Sequence, residues 1–179
     1  MKIFLNPGHC IGLDSGACGF GLSEADVALN IALKVKEFLE AVHYDVKLFY
    51  FDGLAEIVDT SNYWNSDLFV SIHCNAFDGK AHGTETIYFS DEGERLADCI
   101  QRQIVSTIGT LDRGIKNKIA GGYDSFVCKY TFCPAVLVET AFIDNPSDNA
   151  LLADNQFDFA RAIACGITDY VADFYLPQF

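Results

Sequence analysis

No stretch of eighteen or more uninterrupted apolar residues occurs in the 179-residue chain, so no hydrophobic membrane span is expected. The start, Met1-Lys2-Ile3-Phe4-Leu5, reaches Pro7-Gly8-His9 too soon to hold a secretory hydrophobic region, and the chain is read as beginning inside its fold. Basic residues are scarce: 12 Lys and Arg stand against 25 Asp and Glu, a formal net charge of −13. That balance argues against nucleic acid as a partner, because phosphates require clustered cations, and against electrostatic adhesion to an anionic surface. An acidic surface that keeps the domain soluble is the simpler reading. Paired cysteine motifs are missing too. The seven cysteines are an odd number without a Cys-x-x-Cys, and Cys74, Cys128 and Cys165 lie within apolar runs, so reduced thiols are expected. Repeats, linkers and low-complexity tracts are absent, and half of the residues are apolar, which fits one compact domain over residues 1–179.

What is present alternates. Apolar runs follow helical patterns along the chain, which predicts an α/β fold with a mostly parallel, twisted sheet of about six strands and helices on both faces. Strands are expected near 2–6, 46–50, 67–74, 84–89, 125–130 and 135–139. A helix over 24–42 starts at a capping box, with Ser23 as N-cap and Asp26 reaching back, and carries Val27, Ile31, Val35, Phe38 and Val42 on one face. A short helix is expected at 54–65. Another at 93–109 has Leu96, Ile100, Ile104 and Ile108 in register, and a last one near 156–174 has Phe159, Ile163, Ile167, Tyr170 and Phe174. Asp112-Arg113-Gly114 is read as a turn. Gly16, Gly19 and Gly21 resemble a phosphate loop, but no Gly-Lys-Ser/Thr follows, so they are read as letting the loop pass close to a site.

Chemistry gathers at the ends of these elements. His73 closes the strand-like run Leu68-Phe69-Val70-Ser71-Ile72, where an open α/β sheet places its ligands. A lone imidazole there serves equally well as a hydrogen-bonded core residue. Its companions shift the balance: His9 follows Ile3-Phe4-Leu5, Glu24 opens the first long helix, and Glu139 ends Ala135-Val136-Leu137-Val138. Two histidines and one carboxylate form an established catalytic zinc set that leaves a position open for water. His9, Glu24 and His73 supply that set, and Glu139 remains as a carboxylate able to take a proton and return it to a leaving amine. Cys10 and Cys74 directly follow the two histidines. Side chains alternate along a strand, so Cys74 is expected to point away from any metal that His73 binds, whereas Cys10 stays a minor competitor. His43 is read as solvent-facing at a helix end, and His82 as a loop residue.

These residues resemble the zinc-dependent N-acetylmuramoyl-L-alanine amidases of the amidase-3 type. The resemblance rests on Asn6-Pro7-Gly8-His9, Gly21-Leu22-Ser23-Glu24, Ser71-Ile72-His73-Cys74-Asn75-Ala76 and Pro134-Ala135-Val136-Leu137-Val138-Glu139. Smaller echoes are Gly83-Thr84-Glu85, Asp112-Arg113-Gly114-Ile115-Lys116 and Phe142-Ile143-Asp144-Asn145-Pro146. It implies a phosphorylase/hydrolase-like sheet, one catalytic Zn2+ on His9, Glu24 and His73, and Glu139 as the catalytic carboxylate. The implied reaction is cleavage of the bond between N-acetylmuramic acid and L-alanine in peptidoglycan. Asn75 and Arg113 are the candidate substrate contacts; for Arg113 a substrate carboxylate and a surface salt bridge are equal readings.

Two departures stand out. The family's Leu-x-x-Arg segment is Leu54-Ala55-Glu56-Ile57 here, and its usual Asp-Pro-Gly-His has become Asn6-Pro7-Gly8-His9, which removes a carboxylate that could orient the histidine. Two other readings remain at this level. A zinc peptidase acting on the stem peptide uses the same ligand types, but its first ligands come as a close His-x-x-Glu pair, whereas His9 and Glu24 are fifteen positions apart. An inactive peptidoglycan-binding domain gains nothing from a buried carboxylate such as Glu139. The expected setting is a monomeric catalytic domain without a wall-binding module. It would be made in the cytoplasm without a signal peptide and act on the cell wall after release, as an endolysin or in mother-cell lysis.

Overall fold

The computed structural model describes residues 1–117 and 125–175. Its centre is a six-stranded sheet built from β1 (Lys2–Pro7), β4 (Asp45–Leu48), β5 (Leu68–Asn75), β6 (Thr84–Tyr88), β7 (Asp112–Asn117) and β8 (Ala135–Phe142). Across the sheet the order is β4, β1, β5, β8, β6, β7. The first four strands run parallel, and β6 turns the direction by pairing antiparallel with β8, with β7 parallel to β6. One rim of the sheet therefore collects the carboxyl ends of β1, β5 and β8 and the amino ends of β6 and β7. A two-stranded ribbon, β2 (Cys18–Gly19) and β3 (Leu22–Ser23), turns through Phe20 and Gly21, both at positive φ, as a tight hairpin requires.

Helices cover both faces. On one face α1 (Glu24–Ala41), α3 (Asp91–Ile108) and α6 (Gln156–Tyr170) bury Val27, Ile31, Val35, Leu96, Ile100, Ile104, Phe159, Ile163 and Ile167 against Ile3, Leu5, Val70, Ile72, Val136 and Val138. The apolar spacing near 3.6 selects helices, and the alternation in β1, β5 and β8 selects which strand residues meet them. On the other face α2 (Leu54–Trp64) and α4 (Phe126–Tyr130) enclose a smaller cluster of Phe4, Ile57, Val58, Phe69, Val127 and Cys128. The remaining helix, α5 (Pro146–Asp154), is capped by Asn145, whose side chain accepts from the N–H groups of Ser147 and Asp148. No helix among the described residues is long and apolar enough to cross a membrane.

The expected α/β sheet is present, and four expectations about its elements are corrected. Residues 126–130 are the helix α4 rather than a strand: Phe126 and Tyr130 meet at i,i+4 with ring centroids 4.6 Å apart, and a short aromatic, β-branched run carries no period that separates the two states. Asp112-Arg113-Gly114 begins the edge strand β7 rather than forming a turn; Gly114 at φ +78° and the Asp112 Oδ1 bond to its N–H are the local irregularity that looked like one. The expected helix over 156–174 is α-helical to Tyr170 and continues as a π-helical turn, Val171–Tyr175. Val42 and Phe174, expected on buried faces, are exposed at their helix ends.

Candidate metal centre and groove

β1 leads through Pro7 and Gly8 to His9, which sits at φ +60° at the sheet rim. From that left-handed position the imidazole stands 5.4 Å, centroid to centroid, from the His73 ring. The His9 Nδ1 meets Asp14 Oδ2 at 2.6 Å and its Nε2 faces Glu24 Oε2 at 3.1 Å. Glu24 is the first residue of α1, fixed by the Ser23 cap, whose hydroxyl accepts from the Asp26 N–H. The Ser23 hydroxyl in turn donates to Asp26 Oδ2, so the cap is closed side chain to side chain. The Glu24 carboxylate is nearly buried. Oε2 also accepts from the Ala17 N–H at 3.0 Å, while Oε1 accepts from the Cys74 N–H at 3.1 Å and meets His73 Nδ1 at 2.9 Å.

One donor atom from each of His9, Glu24 and His73 lies within 4.8 Å of the others, and among the described residues this is the group able to hold a metal ion. Glycines make the gathering possible. A Cβ on Gly8 would stand 2.3 Å from the His73 ring, and one on Gly16 would stand 2.6 Å from both Glu24 Oε2 and the His9 ring. Gly16 is therefore the glycine of the loop that passes the site. Gly19 instead packs against the Ile143 carbonyl, and Gly21 serves the hairpin.

Electrostatics follow the geometry. The Glu24 carboxylate, working against partial burial and helped by Asp14, holds His9 up at about 9. Burial alone would raise Glu24, but hydrogen bonds from His73 and His9 overcome it and hold the carboxyl well below the usual range. Cys74 points to the opposite face, its Sγ 3.5 Å from Thr140 Oγ1, and burial pushes its thiol up. Cys10 is outside the cluster.

Asp14 is the functional candidate that the sequence did not offer. The carboxylate lost at Asn6 reappears there, five residues after His9. Asp14 is set by backbone bonds with Cys10 in both directions and by its Oδ1 accepting from the Gly16 N–H. Asn6 does another job: its side chain accepts from Ser71 Oγ and donates to the carbonyls of Pro7 and Phe49. Ile57, standing where the family carries arginine, is buried under the same rim.

A row of side chains crosses the rim on the α2/α4 face. His73 on β5 pairs in register with Glu139 on β8, and Glu139 with Glu85 on β6, so all three project from the same face. Arg113 on β7 extends the row, its Nε donating to Glu85 Oε2 at 2.9 Å. Asn75 donates to Glu85 Oε1 at 3.2 Å and accepts from the Ala76 N–H. Two hollows flank the row. One, of about 300 Å³, is lined by His9, His73, Asp14, Phe51, Leu54 and Ile57. The other, of about 350 Å³, is lined by Glu139, Glu85, Arg113, Asn75, Phe77 and Phe142. His43 and His82 are exposed and are not members of the cluster.

The mostly parallel sheet and the two-histidine, one-glutamate cluster at its rim define an α/β protein with a centre suited to a divalent metal. A family model described as N-acetylmuramoyl-L-alanine amidase matches residues 3–169, and the chain belongs to that family. It is 39% identical over 181 residues to N-acetylmuramoyl-L-alanine amidase LytC of Bacillus subtilis, covering 94% of this chain and 35% of that protein. With the endolysin of Bacillus phage SPP1 it shares 36% identity over 184 residues, or 93% of this chain and 65% of the relative. The chain thus spans about a third of LytC and just under two thirds of the endolysin. Among solved structures, N-acetylmuramoyl-L-alanine amidase AmiC2 of Nostoc punctiforme superposes with a TM-score of 0.88 at 33% identity, covering 96% of this chain and 97% of that one.

Proposed function

We propose that this chain hydrolyses the amide bond between N-acetylmuramic acid and L-alanine in the peptidoglycan of the bacterial cell wall, with one zinc ion held by His9, Glu24 and His73 and with Glu139 as general base and acid. The observation that carries the reading is the row at the rim: a His–Glu–His cluster with a carboxylate in register beside one of its ligands, in a chain of the amidase family. The donor set fits zinc in type and number, and the glycine cradle at Gly8 and Gly16 leaves the ligands room to converge. When bound, zinc lowers the pKa of water and polarises the amide carbonyl.

The rest is the work of the chain itself. Glu139 takes the proton of the attacking water and returns it to the alanine nitrogen as the bond breaks, so that the amine leaves neutral. Asp14, accepting from His9 Nδ1, fixes the tautomer that turns Nε2 toward Glu24 and the metal. Asn75 and Arg113 shape the wall on the substrate side. Every group comes from one chain, so the reading needs no second copy.

The test is mass spectrometry of purified peptidoglycan digested by the protein with and without a chelator. New L-alanine amino termini that vanish with chelator and return with zinc are expected. Cleavage elsewhere in the stem moves the assignment to a peptidase, and no cleavage by zinc-loaded protein moves it to a wall-binding domain.

A further inference from the structure

Amide hydrolysis engages only half of the row that crosses the rim. Beyond His73 and Glu139 the row continues through Glu85 to Arg113, and that end lines its own hollow of about 350 Å³. We propose that this hollow is the subsite for the peptide limb of the substrate, in which Arg113 ion-pairs with the α-carboxylate of the second stem residue and Glu85 is the positioning residue that aims the guanidinium. The proposal rests on the muramoyl-alanine reading above.

Arg113 is held on one edge. Its Nε is taken up by Glu85 Oε2, and its guanidinium carbon lies 4.8 Å from the centroid of the Phe142 ring. Its two terminal amino groups make no hydrogen bond to another described residue. An arginine fixed through Nε over an aromatic ring keeps its outer fork for a planar anion, which a lysine could not match. Glu85, only 9% exposed, has both oxygens committed, one to Arg113 and one to Asn75. A carboxylate that deep is tolerated because it is paired, and the pairing sets the plane of the guanidinium. Asn75, with its amide shared between Glu85 and Ala76, braces this pair from the strand that carries His73. Arg113 is also the only lysine or arginine among the described residues lining either hollow, in a chain of net charge −13. One anion-seeking group stands in a surface that otherwise repels anions.

The spacing suits the peptide. In the stem, the second residue is a glutamate joined onward through its side-chain carboxyl, so its α-carboxylate remains as a branch next to the alanine. In an extended peptide that branch lies ~7 Å from the scissile nitrogen, about two residues' rise. The backbone of β7 lies two strand spacings from that of β8, ~10 Å. Arg113 reaches back across part of that gap, its Nε on Glu85 of β6 and its guanidinium carbon 4.8 Å from the Phe142 ring of β8. Its outer edge is therefore within reach of a branch ~7 Å from a bond cut beside Glu139. The hollow on the far side of His73, walled by Phe51, Leu54 and Ile57, is left for the muramoyl side.

The experiment uses zinc-loaded protein and soluble peptidoglycan fragments of one source, carrying the full stem, with the second-residue α-carboxylate either free or converted to the carboxamide. For the wild type, amidation is expected to raise KM roughly tenfold while kcat changes little. Arg113→Gln is expected to bring the two substrates to within about twofold of each other in kcat/KM. Glu85→Gln should raise KM for the acid and leave KM for the amide where it was, a split that a general structural defect would not produce. Equal kcat/KM of the wild type on both forms, or an Arg113→Gln protein that keeps the wild-type ratio, overturns the subsite. A Glu85→Gln protein with equal losses on both substrates overturns the positioning role. If wild type cuts neither form, the muramoyl-alanine reading itself fails, which is a separate result.

Discussion

The two faces of the sheet carry the same strands to different ends. Toward α1, α3 and α6 the strand residues are Ile3, Leu5, Val70, Ile72, Val136 and Val138, all fully buried and aliphatic. Toward α2 and α4 the same strands present Phe4, Phe69, Ser71, His73 and Glu139, and the cover is thin. One residue of offset separates Ile72, in the core, from His73, at the candidate metal centre, and Cys74, back in the core. The large face holds the rim still, so the small face can place polar groups there at fixed spacing. Burial of this kind contributes stability without direction, whereas the rim needs direction more than burial.

That contrast is broken most severely at Glu139. Glu139→Gln keeps the size of the side chain and the β8 pairing, and it should lower turnover by roughly 10²–10⁴-fold while thermal unfolding and zinc content stay at wild-type values. A variant of near-normal rate removes Glu139 from the mechanism. The opposite cut is Phe159→Ala, deep on the large face at 0% exposure. It should cost about 3–5 kcal/mol in denaturant unfolding, with kcat per folded molecule unchanged. A fall in kcat without loss of stability would show that the faces are not separable in this way.

How much of this the sequence discloses divides along the same line. The long amphipathic helices α1, α3 and α6 are legible because three or more turns repeat one apolar period, and β1, β5 and β8 because short, mostly apolar runs lead to a histidine or a carboxylate. The count of six strands survives by an exchange: residues 125–130 leave the sheet and 112–117 join it. Both errors fall in short segments where aromatic or glycine content outweighs periodicity. The helix α5 lies outside the expected elements, although Asn145-Pro146 marks a cap followed by proline at N1. His9, Glu24, His73 and Glu139 could be singled out because each stands where the sequence pattern begins or ends an element, although β5 runs on to Asn75 and β8 to Phe142. Asp14 and Glu85 could not, since an acidic residue in a loop or strand shows its partner only once the chain is folded.

Asp14 sharpens the comparison on the rim itself, since it is an exposed residue acting on a cluster that is largely covered. Asp14→Asn is expected to weaken zinc binding by roughly 10–100-fold in a chelator competition while the unfolding of the metal-free protein shifts little. An unchanged affinity would mean that His9 is oriented by the Gly8–His9 backbone alone.

The smallest effect concerns the rim without its ion. In the metal-free protein His9 is held up at about 9, against 6.5 for the free side chain, chiefly by Glu24. A raised folded value means that the protonated form is the stabilised one. Its contribution is therefore complete below pH 6.5 and disappears as pH rises through about 9. Glu24 acts in the opposite sense: held below its free value of 4.5, it contributes above that pH and loses the contribution as pH falls beneath it. Chelator-treated protein should thus show its highest unfolding temperature between about pH 4.5 and 6.5 and a decline toward pH 9. Zinc-loaded protein should lack the alkaline decline, because a ligating imidazole is already neutral and has no proton to lose. If both forms decline together, the proton on His9 does not hold the empty rim, and its stability comes from the large face alone.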